Sequence, residues 1–169
     1  ASLYSKSAPT VIRKTVRLPE TQDGEPICQS WRQMVNIGYA HDGLIGSVQE
    51  QLRRAQKEIG FTYLRFHGIF DDDMHIYQEN EDGSPWFNFA YADLLFDFIQ
   101  EIGLIPYVEL GYMPSKLAKT QYTMFDNPAI CISMYNDSEK WQALVHACRT
   151  GLTNTVWRTC ANGDSPCFR

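Results

Sequence analysis

From Met34 to Leu152 the chain alternates short apolar runs with longer amphipathic stretches. Met34-Val-Asn-Ile-Gly-Tyr39 predicts a short strand. Residues 44–59 carry apolar side chains at Leu44, Ile45, Val48, Leu52, Ala55 and Ile59, with Gln, Glu, Arg and Lys on the other face. That period predicts a helix, closed by Gly60 where a C-cap glycine belongs. Phe61–Phe66 follows as an aromatic-rich strand, and Met74–Tyr77 with Pro85–Phe89 predicts a hairpin joined through Glu81-Asp-Gly83. Asn88 is placed to cap a second helix, with Tyr91, Leu94, Leu95, Phe98, Ile99 and Ile102 along one face and Gly103 at its end. Ile105–Leu110 predicts another strand. A polar loop then leads to a third helix over Asp137–Leu152, its apolar face formed by Trp141, Leu144, Val145, Cys148 and Leu152.

The two ends are weaker in pattern. Val11, Ile12, Val16 and Leu18 suggest one or two short extended pieces, Pro19–Pro26 is loop material, and Asn154–Arg169 is irregular. The expected organisation is an extended N-terminal segment (1–30), one α/β unit (31–153) and an irregular tail (154–169).

One internal echo fixes the fold class. Glu58-Ile-Gly-Phe-Thr-Tyr-Leu-Arg-Phe-His-Gly68 parallels Glu101-Ile-Gly-Leu-Ile-Pro-Tyr-Val-Glu-Leu-Gly111. Each is a helix end, a capping glycine, a strand, a polar residue and another glycine. A helix running directly into a strand, repeated, indicates β/α units around a parallel sheet. The near-continuous apolar strands suggest a sheet covered on both faces.

Composition narrows the function. The chain has 169 residues and a formal net charge of -5, with 44% hydrophobic and 21% charged residues, which suits one globular domain. The acidic balance argues against direct contact with nucleic acid. No apolar run reaches the length of about 18 residues that a membrane span needs. Ala1-Ser-Leu-Tyr-Ser-Lys6 has no apolar signal core, so the expected location is cytoplasmic unless a leader has been removed. The five cysteines are scattered, and none forms a metal-type pair, so no metal or other cofactor is expected. Cys160 and Cys167 flank a turn and would be the pair to form under oxidising conditions. Asn136-Asp-Ser138 matches the glycosylation acceptor pattern, a triplet that also arises by chance.

In β/α folds the C-terminal strand ends and the loops after them form the functional face. Those positions hold His41 and Asp42, then Arg65, His67 and Asp71-Asp-Asp73, then Glu109 and Tyr112. Each has a plain structural alternative. His67 can bond a backbone carbonyl, Glu109 can pair with Arg65 on the neighbouring strand, and the three aspartates can form a solvated turn. Trp31, Tyr39, Phe70, Trp86, Phe87 and Tyr112 lie in or near the loops. Aromatic rings beside carboxylates and imidazoles suit a carbohydrate, whose apolar faces stack while its hydroxyls bond.

The stretches Ile37–Gly43, Leu52–Gly60, Tyr63-Leu-Arg-Phe-His-Gly-Ile-Phe-Asp-Asp-Asp-Met74 and Pro106-Tyr-Val-Glu-Leu-Gly-Tyr-Met-Pro114 resemble the N-terminal part of glycoside hydrolase family 39, the β-xylosidase and α-L-iduronidase family. The resemblance is greatest to the version found in AraC-type transcription regulators. It implies a partial TIM-type (β/α) barrel of three to four β/α units with an inserted hairpin, and a β-xyloside-type carbohydrate as partner. His41, His67 and Glu109, with Asp72 and Tyr112, carry over as substrate-binding positions. The family's retaining mechanism uses two glutamates about 5–5.5 Å apart, one of them in an Asn-Glu-Pro motif after the fourth strand. Here Asn162 is followed by Gly163. The expectation is therefore a chain that recognises sugar but is inactive alone, in which no residue is assigned a catalytic role. Two alternatives stay open: a sugar-sensing regulator module, and a structural or oligomerisation domain. An open half-sheet also predicts a homodimer, pairing with a barrel remainder, or terminal segments folded over it.

Overall fold

A computed structural model describes residues 14–16, 26–124 and 127–161 of the chain. In chain order the regular elements are β1 (Met34–Tyr39), α1 (Gly46–Ile59), β2 (Tyr63–His67), β3 (Tyr77–Glu79), β4 (Pro85–Phe87), α2 (Ala90–Glu101), β5 (Ile105–Val108), β6 (Thr123–Met124), β7 (Asn127–Cys131) and α3 (Ser138–Ala161), with short 3-10 turns between several of them. The central sheet is β1-β2-β5, parallel throughout.

The repeated helix–glycine–strand unit has a local cause. At the end of α1, Gly60 takes the left-handed conformation (φ 77°) and its N–H donates to Gln56 O at 3.0 Å. The Gln56 side chain then accepts from Phe61 N–H at 2.8 Å and donates to Phe61 O at 3.0 Å, fastening the helix end to the chain entering β2. At the end of α2, Gly103 N–H donates to Gln100 O and Leu104 N–H to Ile99 O, so β5 begins as abruptly. Asn88 acts one residue outside the expected position: its Oδ1 accepts from Ala90 N–H at 3.0 Å, and Phe89 flanks the helix.

Register divides the sheet into two faces. Leu64 lies beside Val35 and Pro106, and Phe66 beside Val108. Leu64 and Phe66 are fully buried in the core that α2 completes with Leu95, Phe96 and Ile99. Full burial of each such side chain contributes about 1.5–3 kcal/mol. The intervening residues Asn36, Tyr63, Arg65, Tyr107 and Glu109 occupy the opposite face, where Tyr107 is 50% exposed. The expectation of a sheet covered on both faces therefore fails: no described element covers this second face. In β1 the pairing slips by one residue, from Asn36↔Arg65 to Tyr39↔His67. Gly38 (φ 84°) absorbs the slip, and its N–H donates to Asn36 Oδ1 at 3.0 Å.

Other expectations shift. The hairpin forms, but its first strand is Tyr77–Glu79, because Met74 belongs to a 3-10 turn. The stretch after β5, expected to be a polar loop, holds a second hairpin, β6–β7. Asp137 caps α3 through Oδ1, which accepts from Glu139 and Lys140 N–H. Lys140 Nζ bonds Glu79 Oε1 at 2.8 Å, and Leu144 and Cys148 enter the core. The helix continues to Ala161, so the tail from Asn154 is helical over its first part rather than irregular. Val16 is 76% exposed and outside any strand. Val11, Ile12 and Leu18, the Cys160–Cys167 pairing and Asn162-Gly163 lie outside the described residues or side chains. Asn136 is tied inward, with Nδ2 donating to Lys116 O at 3.1 Å and Ala118 O at 3.4 Å.

Candidate functional site

The C-terminal ends of three parallel strands bring three rings together. His67 ends β2, and its imidazole lies 4.5 Å from the Tyr39 ring at the end of β1. Tyr112, in the loop after β5, meets His67 edge-on at 5.6 Å. The backbone ladder continues past the strands, with Ala40 N–H donating to His67 O and Glu109 N–H to Phe66 O. Tyr39 and His67 therefore sit on extended sheet, and Tyr112 on the loop that leaves it.

Below the rings, Arg65 and Glu109 form an ion pair. Glu109 Oε1 accepts from Arg65 Nε at 2.9 Å and from Nη2 at 2.5 Å. Their side chains are 34% and 43% exposed, so neither charge is sealed from water. A half-exposed guanidinium–carboxylate pair offers donors and an acceptor to hydroxyl groups without the penalty of a fully buried pair. The Tyr112 hydroxyl belongs to the same neighbourhood: burial first, then Tyr39, Asp71 and Glu109, push its pKa up, while Arg65 acts in the opposite sense.

The three aspartates do not form a solvated turn. Asp71 is 2% exposed, and its Oδ1 accepts from Tyr112 N–H at 2.8 Å. Asp72 Oδ1 accepts from Ser115 N–H at 2.9 Å. Both carboxylates thus staple the loop after β5 to the loop after β2, helped by Phe70 N–H donating to Gly111 O. Desolvation raises the Asp71 pKa to about 6 from 3.8; the Tyr112 N–H opposes the rise, while Asp73 and Asp72 add to it. Asp73 is also raised, mainly by burial, with His41 acting against it.

Between pH 3.8 and about 6 the folded chain holds a proton that the unfolded chain has released. The Asp71 contribution to stability therefore falls as pH rises through that window and stays low above it. Asp71→Asn keeps an acceptor for Tyr112 and removes the charge. Relative to the parent, it should gain up to about 3 kcal/mol between pH 4 and pH 7.5, as measured by paired thermal melts at the two values.

Of the five residues singled out from sequence, the structure brings together His67, Tyr112 and Glu109. Asp72 is placed as a loop staple. His41 faces Asp73 and, with Leu44, Tyr91, Leu94 and Phe98, lines a groove of about 570 Å³ between the 3-10 turn His41–Leu44 and α2. The sequence puts Arg65 and Asp71 on the functional face and Tyr39 among the loop aromatics, but gives none of the three a substrate-binding role. Tyr39 depends on the register slip in β1, and Asp71 differs from its two neighbours only in burial.

Parallel β/α units with polar and aromatic groups gathered at their C-terminal strand ends define a sector of a β/α-barrel protein. The chain belongs to glycosyl hydrolases family 39, whose family model matches residues 14–154. A β-xylosidase of Geobacillus stearothermophilus is 33% identical over 137 residues, covering 79% of this chain and 27% of that protein. A β-xylosidase of Caldicellulosiruptor saccharolyticus is 39% identical over 95 residues, 56% of this chain and 20% of that one. Among solved structures, the GH39 enzyme from Xanthomonas axonopodis pv. citri superimposes with a TM-score of 0.66 at 26% identity, over 78% of this chain and 25% of that one. A monomeric β-xylosidase from Caulobacter crescentus CB15 gives 0.64 at 25% identity, over 75% and 26%. The chain thus spans about a quarter of the length of these relatives. No described helix is long and apolar enough to cross a membrane.

Proposed function

We propose that this chain forms the β1–β5 wall of a family 39 carbohydrate site and recognises β-xylosides. The observation that carries the reading is the junction of the Tyr39–His67–Tyr112 ring cluster with the Arg65–Glu109 pair at one end of the sheet. A pyranose presents an apolar face to the rings and hydroxyls to the imidazole, guanidinium and carboxylate. His67, Tyr112 and Glu109 contact the sugar. Asp72 holds the loop that carries Tyr112, and His41, in the groove beside α2, is assigned a contact with a more distant part of the ligand. The unpaired edges at β1 and β5 support pairing with further barrel units or a second copy.

The role assigned is recognition, and bond cleavage is left to carboxylates outside the residues described. The same arrangement suits, as a second reading, a sugar-sensing module of an AraC-type regulator. Calorimetric titration of the 169-residue chain with xylose and xylobiose tests the proposal. We expect xylobiose to bind, with about tenfold weaker binding in His67→Ala and Glu109→Gln, since each removes about one good polar contact. No heat from a folded chain would reject recognition. Turnover of an aryl-β-xyloside that disappears in Glu109→Gln would reject the restriction to binding and make Glu109 catalytic.

A further inference from the structure

Asp71 stands where every element of the site meets. Its Oδ1 holds the Tyr112 amide at 2.8 Å. Its Oδ2 lies so close to Gly68 that a Cβ there would overlap it, and the Tyr39 ring lies 3.4 Å from the same point. Its own N–H donates to Gly68 O at 3.1 Å. One carboxylate therefore packs on Gly68, just after β2, and holds the loop after β5, the segments next to His67 and carrying Tyr112, while the Tyr39 ring borders the same glycine. None of its contacts reaches the mouth as a ligand group would.

We propose that Asp71 is a positioning residue: through the Tyr112 amide it sets the Tyr112 ring against His67, and its ionisation tunes the grip of the site on sugar. The inference rests on the carbohydrate reading above and adds the regulation of that site by pH. An amide donates more strongly to a carboxylate than to a neutral carboxyl group, so the loop is held tighter when Asp71 is charged. The charged and titratable groups that act on Asp71 are Asp72 and Asp73 in its own turn and Tyr112 from the loop after β5, and Tyr112 in turn faces Tyr39, Glu109 and Arg65. Burial first, and then the two neighbouring aspartates, raise the Asp71 pKa to about 6 against the pull of the Tyr112 amide. The ordering effect and the stability effect have opposite signs: charge tightens the loop and destabilises the fold.

The test follows the Tyr112 amide by NMR in the ¹⁵N-labelled chain across pH 4.5–8, beside xylobiose titrations at pH 5 and 7.5. The parent should show an amide inflection near pH 6 and about fivefold tighter xylobiose binding at the higher pH, the difference expected between a charge-assisted and a neutral hydrogen bond. Asp71→Asn should abolish the inflection, keep the Tyr112–His67 ring contact and flatten the affinity profile. Asp71→Ala should lose the ring contact and about tenfold in affinity. An inflection that persists in Asp71→Asn would assign the titration to another group and overturn the proposal, as would an intact ring contact in a folded Asp71→Ala. Should the amide follow Asp71 while xylobiose fails to bind, the positioning role stands and the carbohydrate reading falls. If Asp71→Ala does not fold, the Asp71→Asn comparison decides alone.

Discussion

Gly68→Ala is expected to lower the melting temperature by about 10 °C, from a loss of about 3 kcal/mol at roughly 3 °C per kcal/mol for a chain of this size. Two effects add. Gly68 has φ 75°, in the left-handed region where a Cβ is disfavoured by about 1–2 kcal/mol. The added methyl would also overlap Asp71 Oδ2 and lie 3.0 Å from Asp71 Cγ. The carboxylate cannot retreat, because it is buried and tied to the Tyr112 amide. Gly60→Ala is the control: its φ is 77° and nothing lies within 4 Å of the new Cβ, so only the backbone effect applies. Thermal unfolding followed by circular dichroism compares the two. If Gly68→Ala melts within about 2 °C of Gly60→Ala, the steric part is absent and the tight packing of Asp71 on Gly68 is wrong.

Phe66→Ala should cost about 3–5 kcal/mol, the range for truncating a fully buried aromatic. Phe66 is 0% exposed, its ring lies 6.1 Å from that of Phe96, and it joins the sheet to α2. Its neighbours Arg65 and His67 point to the other face of β2, where His67 is only partly buried. His67→Ala should therefore weaken sugar binding while leaving the urea midpoint nearly unchanged. Phe66→Ala should move the midpoint with the slope constant. A large loss of stability in His67→Ala would mean that the ring cluster belongs to the core.

Much of this was readable from the residues. The repeated helix, glycine and strand specified the parallel sheet, because apolar periodicity and the Gly60 and Gly103 stops are local properties. His67 and Glu109 were found by their position after apolar runs. What stayed hidden depended on contacts distant in sequence. Nothing in Asp71-Asp-Asp73 says which carboxylate is buried, since Tyr112 and Gly68 decide it. The β6–β7 hairpin has no clean alternation, and Asp126-Asn-Pro128 reads as loop in the middle of it. Residues 154–161 lack an apolar stripe, yet α3 carries on through them. The open half-sheet is an expectation the structure meets, but its open face carries Arg65, Asn36 and Glu109 rather than the apolar side chains that strand content suggests.

The slipped pairing in β1 has a consequence for how such a site is composed. In an unbroken strand Tyr39 would share its side with Val35 and Ile37, and its ring would compete with Leu64 and Phe66 for interior space. One additional residue reverses that parity and sends the ring to the side of His67. The strand can then answer to two demands along a single length: its first half is held to the volume of the interior, and its last residue is released to vary with the ligand.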